Sequence, residues 1–248
     1  MGRWPYSRLK VIVAGYLVSV TPAAVAAPPP SDLAQVPRRI VAEFARCVAK
    51  RHRREAADYV LRTISPSRGA AAQAQRKLAD TRCLPAEATG HHRRTLLRMV
   101  EDDQLRPLLA EALVRDDFPI FDASVINSAQ PLGYGKLTDE LWPPGACKAC
   151  KPAQLREFEQ ARARSSALLA PLMFGECVTR TDPANAHKVL LLDAGSPEES
   201  AVMKALRPAL AHCVVPGGEV KIALKDLRKT LALNYYRLAR APRIPTAP

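Results

Sequence analysis

The sequence predicts an all-α, mainly helical protein of two tandem homologous halves, each closed by its own disulfide and joined by an irregular connector. Three observations carry that prediction. Of the 248 residues, 48% are hydrophobic but only 5% aromatic, and alanine dominates the apolar set. Such a composition suits closely packed helices better than sandwich strands, which draw on β-branched and aromatic residues. Apolar positions recur at helical spacing, and one cysteine-bearing arrangement occurs twice.

In that arrangement, Phe44-Ala45-Arg46-Cys47-Val48 is followed by Cys83, and Phe174-Gly175-Glu176-Cys177-Val178 by Cys213, the second cysteine standing 36 positions after the first each time. At a separation of 130, Tyr59-Val60-Leu61 falls on Val189-Leu190-Leu191 and Ala79 on Ala209. At 131, Ser65-Pro66 falls on Ser196-Pro197 and Pro85 on Pro216. Past the second cysteine the separation is 122: Leu105-Arg106 matches Leu227-Arg228, Leu109-Ala110 matches Leu231-Ala232, and Arg115 matches Arg237. An equal cysteine interval, a Ser-Pro and a closing Leu-Arg helix in the same order argue for duplication of one unit. The first copy then carries about eight extra residues before its last helix, an ordinary loop insertion.

Residues 1–27 read as a secretory signal: Arg3, Arg8 and Lys10, an apolar run over Val11–Val20, then Pro22 and the small-residue exit Ala24-Val25-Ala26-Ala27. The run is shorter than the roughly twenty residues a membrane span needs, so no transmembrane segment is expected after cleavage. Export places all six cysteines in an oxidising compartment, periplasmic or extracellular, where an even count reads as disulfides. Six cysteines allow fifteen pairings. The duplication selects Cys47–Cys83 and Cys177–Cys213, leaving Cys147 to Cys150.

The first copy occupies residues 28–117. After Pro28-Pro29-Pro30, a helix over about 37–51 places Ile40, Val41, Phe44, Cys47 and Val48 on one stripe. A second, over about 54–63, turns Ala57, Val60 and Leu61 inward. Ser65-Pro66 caps a third that ends near Cys83. Runs over about 93–101 and 105–115 follow. Residues 118–152 form the connector, in which Pro119, Pro131, Gly133, Gly135, Pro143, Pro144 and Gly145 leave little regular structure.

The second copy occupies residues 153–248. A lone helix over about 153–169 leads into the repeated unit from Pro171. Asp182-Pro183 opens a short helix through Leu191, and Ser196-Pro197-Glu198-Glu199 is a capping box. Pro208 kinks or ends the next helix before Cys213. Val220, Ile222 and Leu224 alternate, marking one short strand near 219–224. A closing helix covers 225–240.

From Phe174-Gly175-Glu176-Cys177-Val178 through Asp182-Pro183-Ala184, Gly195-Ser196-Pro197, Cys213 and the Leu227-Arg228 helix, the second copy resembles a family of exported, alanine-rich, Cys-paired bacterial proteins. The resemblance covers about the last third of the chain well and the first copy more loosely. It implies no activity and no site residues.

The net charge is +13, of which the signal carries +3, each copy +5 and the connector 0. A basic exported protein attracts anionic envelope polymer, lipid head groups or an acidic protein over long range; nucleic acid is not expected as a physiological partner outside the cytosol. The densest basic clusters are Lys50-Arg51-His52-Arg53-Arg54 and His91-His92-Arg93-Arg94, which makes Arg51, Arg53, Arg54, Arg93 and Arg94 the candidate anion-binding residues. Neighbouring imidazoles on a helix point about 100° apart and sit among arginines, so no metal site is expected. His187, His212 and Tyr235-Tyr236 read as packing or surface residues.

No nucleophile elbow, zinc-protease motif, P-loop or dinucleotide fingerprint is present, so no cofactor is expected and the chain leans away from an enzyme. Acidic pairs such as Asp116-Asp117 fall at helix boundaries, where capping explains them. The primary expectation is a binding or structural role in the cell envelope, meeting anionic surfaces through basic residues. One alternative is a thiol–disulfide redox protein using Cys147 and Cys150 in Cys147-Lys148-Ala149-Cys150, although a Cys-x-x-Cys reads as redox-active only near a βαβ unit and none is visible. The other is a protein–protein interaction module through residues 118–145, with Phe118, Ile120, Phe121 and Trp142 as anchors.

Overall fold

The structure, a computed structural model, describes residues 38–62, 77–88, 90–101, 104–134, 143, 147, 150–214 and 222–242. The expected signal segment, the Ser65-Pro66 cap and Trp142 lie outside those residues. Within them the chain is all-α. Helices α1 (Arg38–Arg51) and α2 (Arg53–Leu61) are followed by a 3-10 turn, η1 (Thr81–Cys83), then α3 (Gly90–Glu101) and α4 (Leu105–Asp117). A short α5 (Ala123–Asn127) precedes the long α6 (Pro152–Thr181). The chain finishes with α7 (Pro183–Leu191), α8 (Pro197–Ala205), α9 (Arg207–His212) and α10 (Leu224–Arg240).

All three expected bridges are formed: Cys47–Cys83 and Cys177–Cys213, each spanning 36 residues, and Cys147–Cys150. They fit an oxidising, extracytoplasmic environment. Among the described residues no helix is long and apolar enough to cross a membrane.

Helix boundaries follow local chemistry. The Asp182 side chain accepts from the Asn185 backbone N–H at 3.1 Å and Pro183 stands at the first position of α7, where its missing N–H costs nothing. Ser196 Oγ accepts from Glu199 N–H at 3.0 Å to open α8. The reciprocal half of that box is shifted: the Glu199 carboxylate takes the N–H of Gly195, a residue at φ +88°. Only glycine holds such a conformation without strain. Pro208 sits in the first turn of α9, and the helix from Ser196 ends as expected, at Ala205.

Three expectations are corrected. The lone helix of 153–169 does not stop before Pro171 but runs on to Thr181, so Pro171 lies inside α6. Helix α2 buries Ala56, Tyr59 and Val60, while Leu61 is exposed. Nor is the connector wholly irregular. Residues 123–127 are helical, and Ile126, Ala129 and Tyr134 are buried. Of the strand expected near 219–224, residues 219–221 lie outside the described set and Leu224 already belongs to α10.

The two bridged stretches share one hydrophobic core. Phe44, Val48, Tyr59 and Val60 from the first join Phe174, Val178, Val189 and Leu190 from the second around Leu105, Leu109 and Leu113 of α4 and Leu231, Tyr235 and Tyr236 of α10. Helices α4 and α10 pack on each other more extensively than any other pair. Close approach of α6 to α10 depends on Gly175. A Cβ there would stand 2.2 Å from Thr230 Cγ2 and 2.6 Å from Asn234 Nδ2.

Candidate functional site

Helices α4 and α10 each carry two arginines nine residues apart, Arg106 and Arg115 on one, Arg228 and Arg237 on the other. Nine residues are two and a half turns, so each pair projects from opposite sides of its helix. One member of each pair turns to the end of the nearer second helix. Arg106 Nη1 donates to the carbonyl of Arg62, the C-cap of α2, at 3.2 Å, and Arg228 Nη2 to that of Leu192, the C-cap of α7, at 2.7 Å. The other member crosses over. Arg115 donates to Leu192, and Arg237 to Arg62 and, at 2.9 Å, to Val60. Terminal carbonyls of a helix lack intrahelical donors and carry partial negative charge, so guanidinium groups satisfy them where water is excluded.

Beside Arg115 and Arg228 a cavity of about 460 Å³ opens between α1, α4, the turn before α8, and the start of α10. Val41, Ala45, Leu108, Ala112, Met203 and Leu224 give it an apolar lining. Among the described residues its charged lining is Arg38, Arg46, Arg115, Lys225, Arg228 and Lys229 with Glu111 and Glu199, and Lys229 also pairs with Asp226 at 3.3 Å. Both carboxylates are engaged by Arg228. Glu111 accepts from Nε at 3.0 Å and Nη2 at 2.8 Å, and Glu199 accepts from Nη1 at 2.7 Å. Burial works against the Arg228 charge, but the hydrogen bonds and charges of Glu111 and Glu199 outweigh it and hold the pKa above its ordinary value.

Arg115 is in the opposite position. Burial lowers its pKa, and the Glu111 charge, with Nη2 at 3.6 Å, offsets this only in part because Arg228 and Arg46 add like charge. Among the described residues, no ion pair engages Arg38, Arg46 or Lys225. The cavity therefore holds an excess of positive charge over an apolar floor.

On the other side of the helix pair, beside Arg237 and Arg106, the connector lies against the core. Tyr134 is 4% exposed, and its hydroxyl donates to Asn234 Oδ1 at 2.9 Å and accepts from Arg237 Nη1 at 3.3 Å. Burial raises the Tyr134 pKa, with Arg237 opposing. Two residues earlier the Leu132 N–H donates to Glu176 Oε1 at 3.0 Å, and Arg180 donates to the carbonyls of Ala129 at 3.1 Å and Gln130 at 2.8 Å. The segment is thus held as a strap with Tyr134 as its buried anchor.

The basic residues singled out from the sequence lie apart from this cavity. Arg51 donates to Asp80 at 3.1 Å, alongside His52 Nε2 at 2.9 Å, and Arg82 Nε adds 2.8 Å. Arg53 pairs with Asp117, which also takes Arg240 and, at 3.1 Å, the Tyr236 hydroxyl. Asp117 is the last residue of α4, so it is an ion-pair centre rather than a cap. Arg54, Arg93 and Arg94 are exposed on α2 and α3. Two of the five candidate cations are therefore occupied by the protein's own carboxylates.

Cys147 and Cys150 are bridged, with Cys150 N–H donating to the Cys147 carbonyl at 3.2 Å. Of the proposed docking anchors, Phe118 is turned inward, edge-on to Tyr235 and Tyr236 with Arg240 over its ring, while Ile120 and Phe121 are exposed. His187 is a packing residue, its Nε2 2.6 Å from the Phe118 carbonyl. Among the described residues no group of three or more His, Cys, Asp or Glu side chains could hold a metal ion.

Arg46, Arg115 and Arg228 were not legible as site residues. The available signal was the recurrence of Arg106 and Arg115 as Arg228 and Arg237 within otherwise apolar closing helices, since an arginine on a buried face needs an internal acceptor. In comparisons with known proteins, no family model, curated protein or solved structure matches this chain.

Proposed function

We propose that this is a ligand-binding protein of the cell envelope, exported by its N-terminal signal to the periplasm or beyond, that takes a small amphipathic anion in the Arg46–Arg115–Arg228 cavity. One observation carries the reading: six cationic side chains and two carboxylates, both already engaged, surround an apolar volume of about 460 Å³. Apolar clefts with a few convergent polar groups are the usual form of small-molecule sites. An anion there gains charge-assisted hydrogen bonds from guanidinium groups in a low-dielectric setting. The same reading keeps the chain as two duplicated, disulfide-closed halves, with the cavity on one side of their α4–α10 contact.

Calorimetric titration of the full chain tests it. A carboxylate with a short apolar tail, such as hexanoate, is expected to bind, to weaken with added salt, and to lose about tenfold in affinity when Arg46 becomes Glu. The matching alcohol, hexanol, is expected to bind more weakly. Equal affinity for the acid and the alcohol, or an unchanged affinity in Arg46→Glu, overturns the reading.

A further inference from the structure

The connector strap shows what the cavity is shaped to receive. At the separations read from the sequence, 122 along the closing helices and 130 along the first ones, four residues at the strap, Arg106, Glu176, Asn234 and Arg237, have counterparts among those that line the cavity. Arg237, which donates to the Tyr134 hydroxyl, corresponds to Arg115. Asn234, which accepts from it, corresponds to Ala112. Glu176, which accepts the Leu132 N–H, corresponds to Arg46. Arg106, behind them, corresponds to Arg228. The crossed arginine pairs obey the same correspondence, since Arg115 reaches Leu192 as Arg237 reaches Arg62.

We infer that the cavity is the counterpart of the Tyr134 groove and binds an aromatic ring joined to a carboxylate, either as a free aryl acid or as the C-terminal residue of a peptide. This rests on the ligand-binding reading above and names the ligand class for the same site. The ring follows from Tyr134, the group that the fold itself places in the matching groove, beside an arginine that donates to its hydroxyl. The carboxylate follows from the reversal of charge between Glu176 and its counterpart Arg46. Where the strap offers a backbone N–H to Glu176, a ligand faces Arg46 and must offer an acceptor. Ala112 in place of Asn234 leaves room for the ring and removes the hydroxyl's acceptor, so the cavity tolerates a plain phenyl group as readily as a phenol.

Competition calorimetry on the full chain decides it, with four small probes: phenylacetate, para-hydroxyphenylacetate, hexanoate and para-cresol. Both aryl acids are expected to bind about tenfold tighter than hexanoate and para-cresol. Ala112→Asn restores the amide that holds the Tyr134 hydroxyl, and is expected to favour para-hydroxyphenylacetate over phenylacetate by about threefold or more. A tripeptide ending in tyrosine separates the two sources: tighter binding than the free acids assigns the site to peptide C-termini, weaker binding to free acids. Hexanoate binding as tightly as the aryl acids overturns the aromatic assignment and leaves the anion site standing. Failure of every acid to bind overturns both. Unfolding curves of Ala112→Asn matching the unaltered protein keep its result interpretable, and the four-probe comparison needs no variant.

Discussion

Arg115 and Arg237, 122 residues apart, reach in opposite directions across the contact between α4 and α10, one to the carbonyl of Leu192 and the other to that of Arg62. Each closes the last turn of a helix belonging to the other bridged stretch. The contact is consequently not a greasy interface alone but a set of four guanidinium groups satisfying helix ends, three of them buried and Arg115 partly so, and it fixes how the two stretches sit together. The cavity and the Tyr134 groove lie on its two sides.

Arg228 is the most heavily committed of the four. Its substitution by methionine leaves buried Glu199 and partly buried Glu111 without their shared partner and removes one of the two donors to the Leu192 carbonyl, a change expected to cost about 3 to 5 kcal/mol. Denaturant unfolding followed by circular dichroism measures it. Replacing Glu111 with Gln in the same chain is expected to recover part of the loss, because one unpaired buried charge is removed.

Gly175 has no room for a side chain. Alanine there meets Thr230 Cγ2 and Asn234 Nδ2, and the resulting shift of α6 from α10 is expected to cost about 1 to 3 kcal/mol, more than alanine's gain in helix propensity of up to about 1 kcal/mol. Adding Thr230→Ser removes the nearer methyl and is expected to restore part of the stability, read from the same unfolding curves as a favourable coupling.

The two long bridges and the short one should separate under mutation. Each 36-residue loop closes with about 4 kcal/mol on the chain-entropy model, and the three-residue loop of Cys147–Cys150 with about 1 to 2 kcal/mol. Paired Cys→Ser changes at 47/83 or 177/213 should therefore lower the melting temperature more than the same change at 147/150. Differential scanning calorimetry gives the order.

Stability should fall at both ends of the pH range, for stated groups. Burial first, and the Asp122 charge second, push the Tyr235 pKa from 10.0 up to about 12. Its contribution is complete below about pH 10 and is lost as pH rises through about 12. At the acid end, hydrogen bonds from Arg82 and then His52 hold the Asp80 carboxyl well below the usual carboxylate range. Its contribution is complete above about pH 4 and declines as pH falls below that. Tyr235→Phe should remove part of the alkaline loss, since burial raises the pKa of Tyr134 and Tyr236 as well, and Asp80→Asn part of the acid one, in denaturant midpoints measured across pH.

What was legible in the sequence was local. Asp182-Pro183 and Ser196-Pro197 are capping chemistry written within three residues, and α7 and α8 begin there. The all-α class and the disulfide partners needed only periodicity and the recurring cysteine interval. What was not legible required knowing which residues meet across the core. Pro171 looked like a helix boundary, yet α6 continues through it. Phe118 looked like a docking anchor until Tyr235 and Tyr236 covered it. The basic clusters drew attention by density in sequence, whereas the cavity's cations come from three separate helices, α1, α4 and α10, and converge only in the fold.

Backbone amide NMR shifts of the labelled protein, recorded as phenylacetate is added, test the site most directly. The account predicts saturable shifts centred on Ala45, Arg46, Ala112 and Arg115, with Tyr134 and its neighbours unmoved. Shifts centred instead on Arg53, Arg54, Arg93 and Arg94, or none at any concentration, would contradict it.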